Sequence, residues 1–83
     1  MDTETAIRTQ IEPKLVEALG QLGANALLTR ATLSYVTTLG NESKRYAAFV
    51  RTICADEHLI EVWGPERVLW QEKDWQMLSS SLS

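Results

Sequence analysis

Glu57, His58 and Glu61 come closest, by residue type and spacing, to a metal-binding pattern. On a helix, residues three and four apart are neighbours, so these side chains would share one surface. Carboxylates and an imidazole so arranged ligate metals in helix bundles, and a symmetric dimer would double the ligands. One copy supplies too few of its own, and a lone histidine in a charged segment is usually solvated. We therefore predict no metal and no cofactor.

Nothing in the sequence supports covalent catalysis. There is no glycine-rich phosphate loop, no paired-cysteine zinc pattern and no nucleophile elbow. The single cysteine, Cys54, falls on an apolar helical stripe, which favours a buried and unreactive thiol. We predict that the protein is not an enzyme.

Lys44, Arg45 and Arg51 follow a glycine turn in the segment YVTTLGNESKRYAAF. Two apolar segments joined by a short turn at Gly40 resemble a helix-turn-helix unit, whose second helix enters a DNA groove. Residues 29–51 carry a net charge of +3, although the whole chain carries −3. Against this hypothesis, Val36 stands where such a unit usually has a small residue. A DNA-binding regulator using these three basic residues is therefore the alternative function.

The elements that must position these residues are predicted to be four helices, near residues 3–20, 24–39, 42–63 and 65–78. The third has the clearest pattern, since one face collects Tyr46, Phe49, Val50, Ile53, Cys54, Ile60 and Trp63. Asn41 or Ser43 can cap its start. Near Asp56 we expect a bend, and the alternatives are a new helix capped by Asp56 or an extended segment over 58–63.

The first two helices are separated by the glycine-containing link GQLGAN. In the first, Pro13 predicts either a kink or a helix that starts there, with residues 1–12 loosely attached. Its apolar spacing is given by Ile7, Ile11, Leu15, Ala18 and Leu22. The buried face of the second comprises Ala24, Leu27, Leu28, Ala31, Tyr35 and Leu39, with a strand over 33–39 as the alternative.

The last helix, opened by Pro65, places Val68, Trp75 and Leu78 on one face, and Trp70 and Met77 nearly opposite. A tryptophan and a methionine directed away from the core are typical of a protein contact surface. In a continuous third helix, Leu59 and Val62 project away from its apolar face. The predicted interface therefore comprises Trp70, Met77, Leu59 and Val62.

Length and composition fit one small all-α domain spanning residues 1–83, with a frayed tail over 79–83. The acidic, polar N-terminus and the single cysteine favour the cytoplasm, and no apolar run reaches the roughly 18 residues of a membrane span. A core this small benefits from dimerisation. We expect a non-enzymatic regulatory or assembly factor that acts through helix-mediated contacts, as a homodimer or with another protein.

Overall fold

The computed structural model describes residues 3–78, and all regular structure in that range is helical. A short helix α1 (Thr3–Ala6) leads through a π-helical turn (Ile7–Ile11) into α2 (Glu12–Thr37). Then follow α3 (Glu42–Cys54), α4 (Glu57–Trp63) and α5 (Pro65–Met77). The predicted all-α bundle with short connections is confirmed. Within the described range, no helix combines the length and the apolarity needed to cross a bilayer. The predicted frayed tail lies outside it.

The chain stays helical on both sides of Pro13, with an irregularity just before it. A proline ring collides with the carbonyl of the residue four positions earlier, here Thr9. The preceding turn is widened into a π-helix, in which the Glu12 N–H donates to the Ile7 carbonyl five residues back. Ala6 and Ile11 are fully buried in this stretch. The wide turn therefore accommodates Pro13 while both side chains pack on the core.

Gly20 divides the N-terminal half of the chain into two arms. The first arm (residues 3–19) comprises α1, the π-helical turn and the start of α2, and the second arm (residues 21–37) is the rest of α2. The φ of 78° and ψ of 169° at Gly20 lie outside the helical region, and this φ is one that glycine adopts readily. The predicted link extended to Asn25, but the helix resumes at once and runs through Gly23. A single residue therefore makes the turn. Compared with an uninterrupted helix, this turn changes which side chains of the second arm face the core and which face solvent.

Helices α2 and α3 form a hairpin around Gly40. The Asn41 side chain accepts the Lys44 N–H at 2.9 Å and caps α3, as predicted. Tyr35 donates its hydroxyl to the Glu42 carboxylate, and Thr52 donates to the Ser34 hydroxyl at 2.7 Å. The second arm is helical as far as Thr37, so the strand alternative over 33–39 is wrong. Leu39 was predicted to be buried, but it follows the helix end and is exposed.

The predicted continuous helix over 42–63 is wrong, and the alternative of a new helix capped by Asp56 is confirmed. Helix α3 ends at Cys54, and the Asp56 carboxylate accepts the Leu59 N–H at 2.9 Å to cap α4. The same carboxylate accepts a hydrogen bond at 2.5 Å from the guanidinium of Arg30 on the second arm. The extended alternative over 58–63 is wrong. Asp56 thus starts a helix and also fixes that helix to α2.

The core is built around α3, which six buried side chains anchor. Every residue that the sequence placed on its apolar face up to Cys54 is buried there: Tyr46, Phe49, Val50, Ile53 and Cys54. Around them pack side chains from all the other long elements, including Leu15, Leu27, Leu59, Val68 and Trp75. Between elements, Lys14 donates to Gln71 at 3.0 Å, and Gln76 donates to the Ala47 carbonyl at 3.2 Å.

Replacing Asp56 should separate its two roles. Asp56→Ala removes the cap and the ion pair and should lower the free energy of unfolding by about 1–2 kcal/mol. Asp56→Asn keeps a capping oxygen, so its loss should be smaller. Glu57→Ala, at the exposed next position, is the matched control and should change little. Urea unfolding of the three variants measures this, and equal losses in Asp56→Ala and Glu57→Ala would contradict it.

The same variants should show a defined pH dependence. Burial alone raises the pKa of Asp56, but the Leu59 N–H, the contact with Arg30 and the nearby His58 outweigh it and hold the pKa below its ordinary 3.8. The charged form is therefore favoured in the folded state, and its stabilisation is present above the unfolded pKa and lost as pH falls through the folded one. The stability gap between wild type and Asp56→Asn should shrink on acidification. A gap that does not change would contradict this assignment.

Candidate protein interfaces

Trp70 and Met77 lie on the outer face of α5, as the sequence predicted. Trp70 is 64% exposed and Met77 is 72% exposed, whereas Val68 and Trp75 on the opposite face are buried. Pro65 starts the helix after Gly64, which has a φ of 87°. The helix therefore buries one face against α3 and α4 and leaves most of the Trp70 and Met77 side chains exposed to solvent.

The contacts of the three tryptophans distinguish Trp70 from the other two. The rings of Trp63 and Trp75 pack at a centroid distance of 6.2 Å, and the Arg67 guanidinium lies 4.4 Å from the Trp63 ring centre. Trp70 is not part of this cluster. The Lys73 ammonium lies 5.0 Å from its ring centre, a cation–π contact that leaves most of the indole in water.

The surface around Trp70 and Met77 is apolar but mixed with charge. Leu69 is half-exposed, and it lines a shallow groove of about 530 Å³ together with Met77 and the side chains of Glu72, Lys73 and Gln76. Glu66 and Asp74 are also exposed on this helix. A partner here would contact a tryptophan and a methionine surrounded by charges of both signs.

Leu59 does not belong to this surface, and its prediction as an interface residue is wrong. It is fully buried in the core, while Val62 in the same helix is 48% exposed. The error arises from the break at Asp56, because α4 starts afresh and does not continue the angular positions of α3. Of the two residues predicted to extend the surface, only Val62 remains a candidate.

A second exposed apolar surface, on the second arm, was missed. Leu22 is 86%, Leu33 62% and Val36 60% exposed, and Ala26 and Thr29 between them are exposed as well. The opposite face of this arm buries Ala24, Leu27 and Ala31. The signal was present in the sequence, since these five positions follow a spacing of four, three, four and three residues.

The three basic residues of the DNA-binding alternative do not act as one group. Lys44 and Arg51 are exposed on one side of α3, seven residues and about 10 Å apart along the axis. Arg45 is half-buried, and its Nε has no hydrogen-bond partner within residues 3–78. The stem of Lys44 lies against Gly40, where an added Cβ would come within 2.7 Å of its Cδ. Helix α3 is also the helix most enclosed by its neighbours, so only a narrow strip of it can meet a groove.

The residues considered for metal binding lie on the surface of α4, whereas the candidate nucleophile Cys54 is buried. Glu57, His58 and Glu61 are exposed, and in the described part of the chain no three His, Cys, Asp or Glu side chains are grouped to hold a metal ion. Cys54 is buried, as predicted, and burial together with the nearby charge of Glu72 raises its pKa to about 12. Its thiol stays protonated at neutral pH and is a poor nucleophile.

A further cleft, with a volume of about 330 Å³, lies between the two arms. Its lining includes Ile7, Leu28 and Phe49. Two of the polar groups beside it bind within the chain, because Arg8 pairs with Glu4 at 3.0 Å and Tyr35 donates to Glu42. We therefore assign no ligand to this cleft.

The comparisons with known proteins identify no relative. No protein-family model matches the chain, and no curated protein or solved structure shows significant similarity to it. The two exposed apolar surfaces are the features of the molecule that bear on its function.

Leu59 and Val62 offer a matched comparison of a buried and an exposed residue in one helix. Leu59→Ala should lower the free energy of unfolding by about 2–5 kcal/mol, because it removes a fully buried side chain and leaves a cavity. Val62→Ala should cost about 0.5 kcal/mol or less. Urea denaturation measures both, and equal costs would place Val62 in the core as well.

Proposed function

We propose that the chain is a non-enzymatic protein that acts through helix-mediated contacts, forming a homodimer and offering its remaining apolar surface to a partner protein. The observation that carries the proposal is the set of large apolar side chains left exposed on a bundle that already has a core. In the described residues these are Leu22, Leu33, Val36, Leu39, Val62, Leu69, Trp70 and Met77. A regulatory or assembly role fits a protein whose exposed apolar surfaces can bind other protein chains.

Scattered single apolar residues are normal on a protein surface, but these residues are grouped. Three lie on one face of the second arm, and three more are on α5. The interiors of protein interfaces are depleted in charge and enriched in aromatic residues and methionine. The second arm supports the proposal by its lack of charge, and α5 supports it by Trp70 and Met77.

We propose the cytoplasm as the compartment, because the single cysteine is a buried free thiol and the chain therefore has no internal disulfide. DNA binding has weaker support, since Arg45 is half-buried with its Nε inaccessible to solvent and the basic segment belongs to a chain with a net charge of −3.

Solution mass tests the proposed self-association. Light scattering across a tenfold dilution should give a mass close to twice 9.4 kDa at the higher concentration and a falling mass on dilution. The physical reason is that pairing removes apolar side chains from water that one copy cannot cover. A mass of 9.4 kDa throughout would contradict the homodimer and leave only contacts with a different protein.

A further inference from the structure

The second arm carries a regular exposed stripe, which we call the α2 seam, formed by Leu22, Ala26, Thr29, Leu33 and Val36. Alternating steps of four and three residues are the spacing of a coiled-coil seam, in which side chains of one helix fit between those of a facing helix. The seam extends about 21 Å along the helix. Because the opposite side of the arm is buried in the core, this helix is apolar on two faces.

The second property of this region is its lack of charge. Residues 18–41 contain one charged residue, Arg30, although 23% of the chain is charged and five or six would be expected in 24 residues. The Arg30 guanidinium is bound to Asp56 of its own chain at 2.5 Å. Apart from Arg30, whose charge is compensated by Asp56, the residues of the second arm beside the seam are neutral, and Glu12 of the first arm lies in a groove next to Thr29. A low density of charge is the composition found at the centre of an interface.

Resting on the proposed homodimer, we propose that the α2 seam is the self-association site and that its occupant is the same seam of a second copy. A two-fold axis places one patch against itself, and the 4-3 spacing is complementary to an identical stripe. Two copies of a chain with a net charge of −3 repel each other over most of their surfaces, but not where both surfaces are neutral.

The centre and the state of the helix both favour such a pairing. Ala26 and Thr29 lie in the middle of the seam and are small, so two helices can approach closely there, while Leu22 and Leu33 cover both sides of that centre. The helix is already folded on its own core through Ala24, Leu27 and Ala31. Pairing therefore carries no cost of ordering the backbone, which a short isolated coiled coil must meet.

On this assignment the two apolar surfaces have different partners: the seam binds a second copy, and the surface on α5 binds a different protein. The surface on α5 has exposed Glu66, Lys73 and Asp74 beside Trp70 and Met77. If two copies paired through α5, each of these charges would need an opposite charge facing it on the other copy. Pairing through the seam needs no such matching of charges. The Trp70 and Met77 surface is thus left uncovered in the dimer and available to a different protein.

Charge substitutions in the seam test the proposal in the full chain. Ala26→Glu and Leu33→Glu each place a carboxylate at the dimer contact, and both positions are exposed, so folding should persist. We expect each to raise the dimer dissociation constant by about tenfold or more, measured by sedimentation equilibrium, with unchanged helical circular dichroism. For the wild type, the constant should change little between about 0.1 M and about 1 M salt, since the contact is uncharged.

Two controls distinguish this assignment from the proposed function. Gln10→Glu adds the same charge at an exposed position of the first arm, and Trp70→Ala with Met77→Ala removes the other apolar surface; both should dimerise like the wild type. A dimer that survives both seam substitutions, or one lost in the Trp70 and Met77 variant, would overturn the seam assignment while leaving the homodimer intact. A wild type that is monomeric at every concentration would overturn both.

Discussion

Burial of one face of α3 is the constraint on which the rest of the structure depends. Helix α4 has seven residues and α5 has thirteen, lengths at which an isolated helix is barely stable in water. They form because Tyr46, Phe49, Val50 and Ile53 give them an apolar surface to cover. The two arms contribute Leu15, Leu27 and Ala31 to the same core. Each of these helices buries one face against α3 or its neighbours and exposes the opposite face to solvent.

Polar groups at the chain reversals decide which faces are used. Gly20 sets the orientation of the second arm, and Asn41 starts α3 directly after the turn. Asp56 starts α4 and fixes it to Arg30 through one carboxylate. The Asp56 carboxylate compensates the charge of Arg30, the one charged residue of the second arm, at the same time as it positions α4. One carboxylate therefore both starts a helix and pairs with the charged residue of the second arm.

Helical periodicity predicted what happens inside each helix and failed between helices. The buried residues of α3 and the opposed faces of α5 follow directly from a turn of 3.6 residues. Leu59 was misplaced because the break at Asp56 resets the angular position of every later residue, and Leu39 because the second arm ends at Thr37. The α2 seam was missed for another reason. The prediction assigned one apolar face to this helix, and the helix has two. Whether an exposed stripe meets a partner depends on a second molecule, which no single sequence specifies.

On the proposed mode of self-association, a second copy of the chain covers the seam on the second arm. Methyl carbon–proton and nitrogen–proton correlation spectra of the wild type, recorded across a tenfold dilution, test it residue by residue. The methyl signals of Leu22, Leu33 and Val36 should shift together with one dissociation constant, while those of the buried Leu59 and Ile53 and the indole signal of Trp70 stay fixed. Unchanged seam methyls, with concentration-dependent shifts at Trp70 and Met77 instead, would contradict the account.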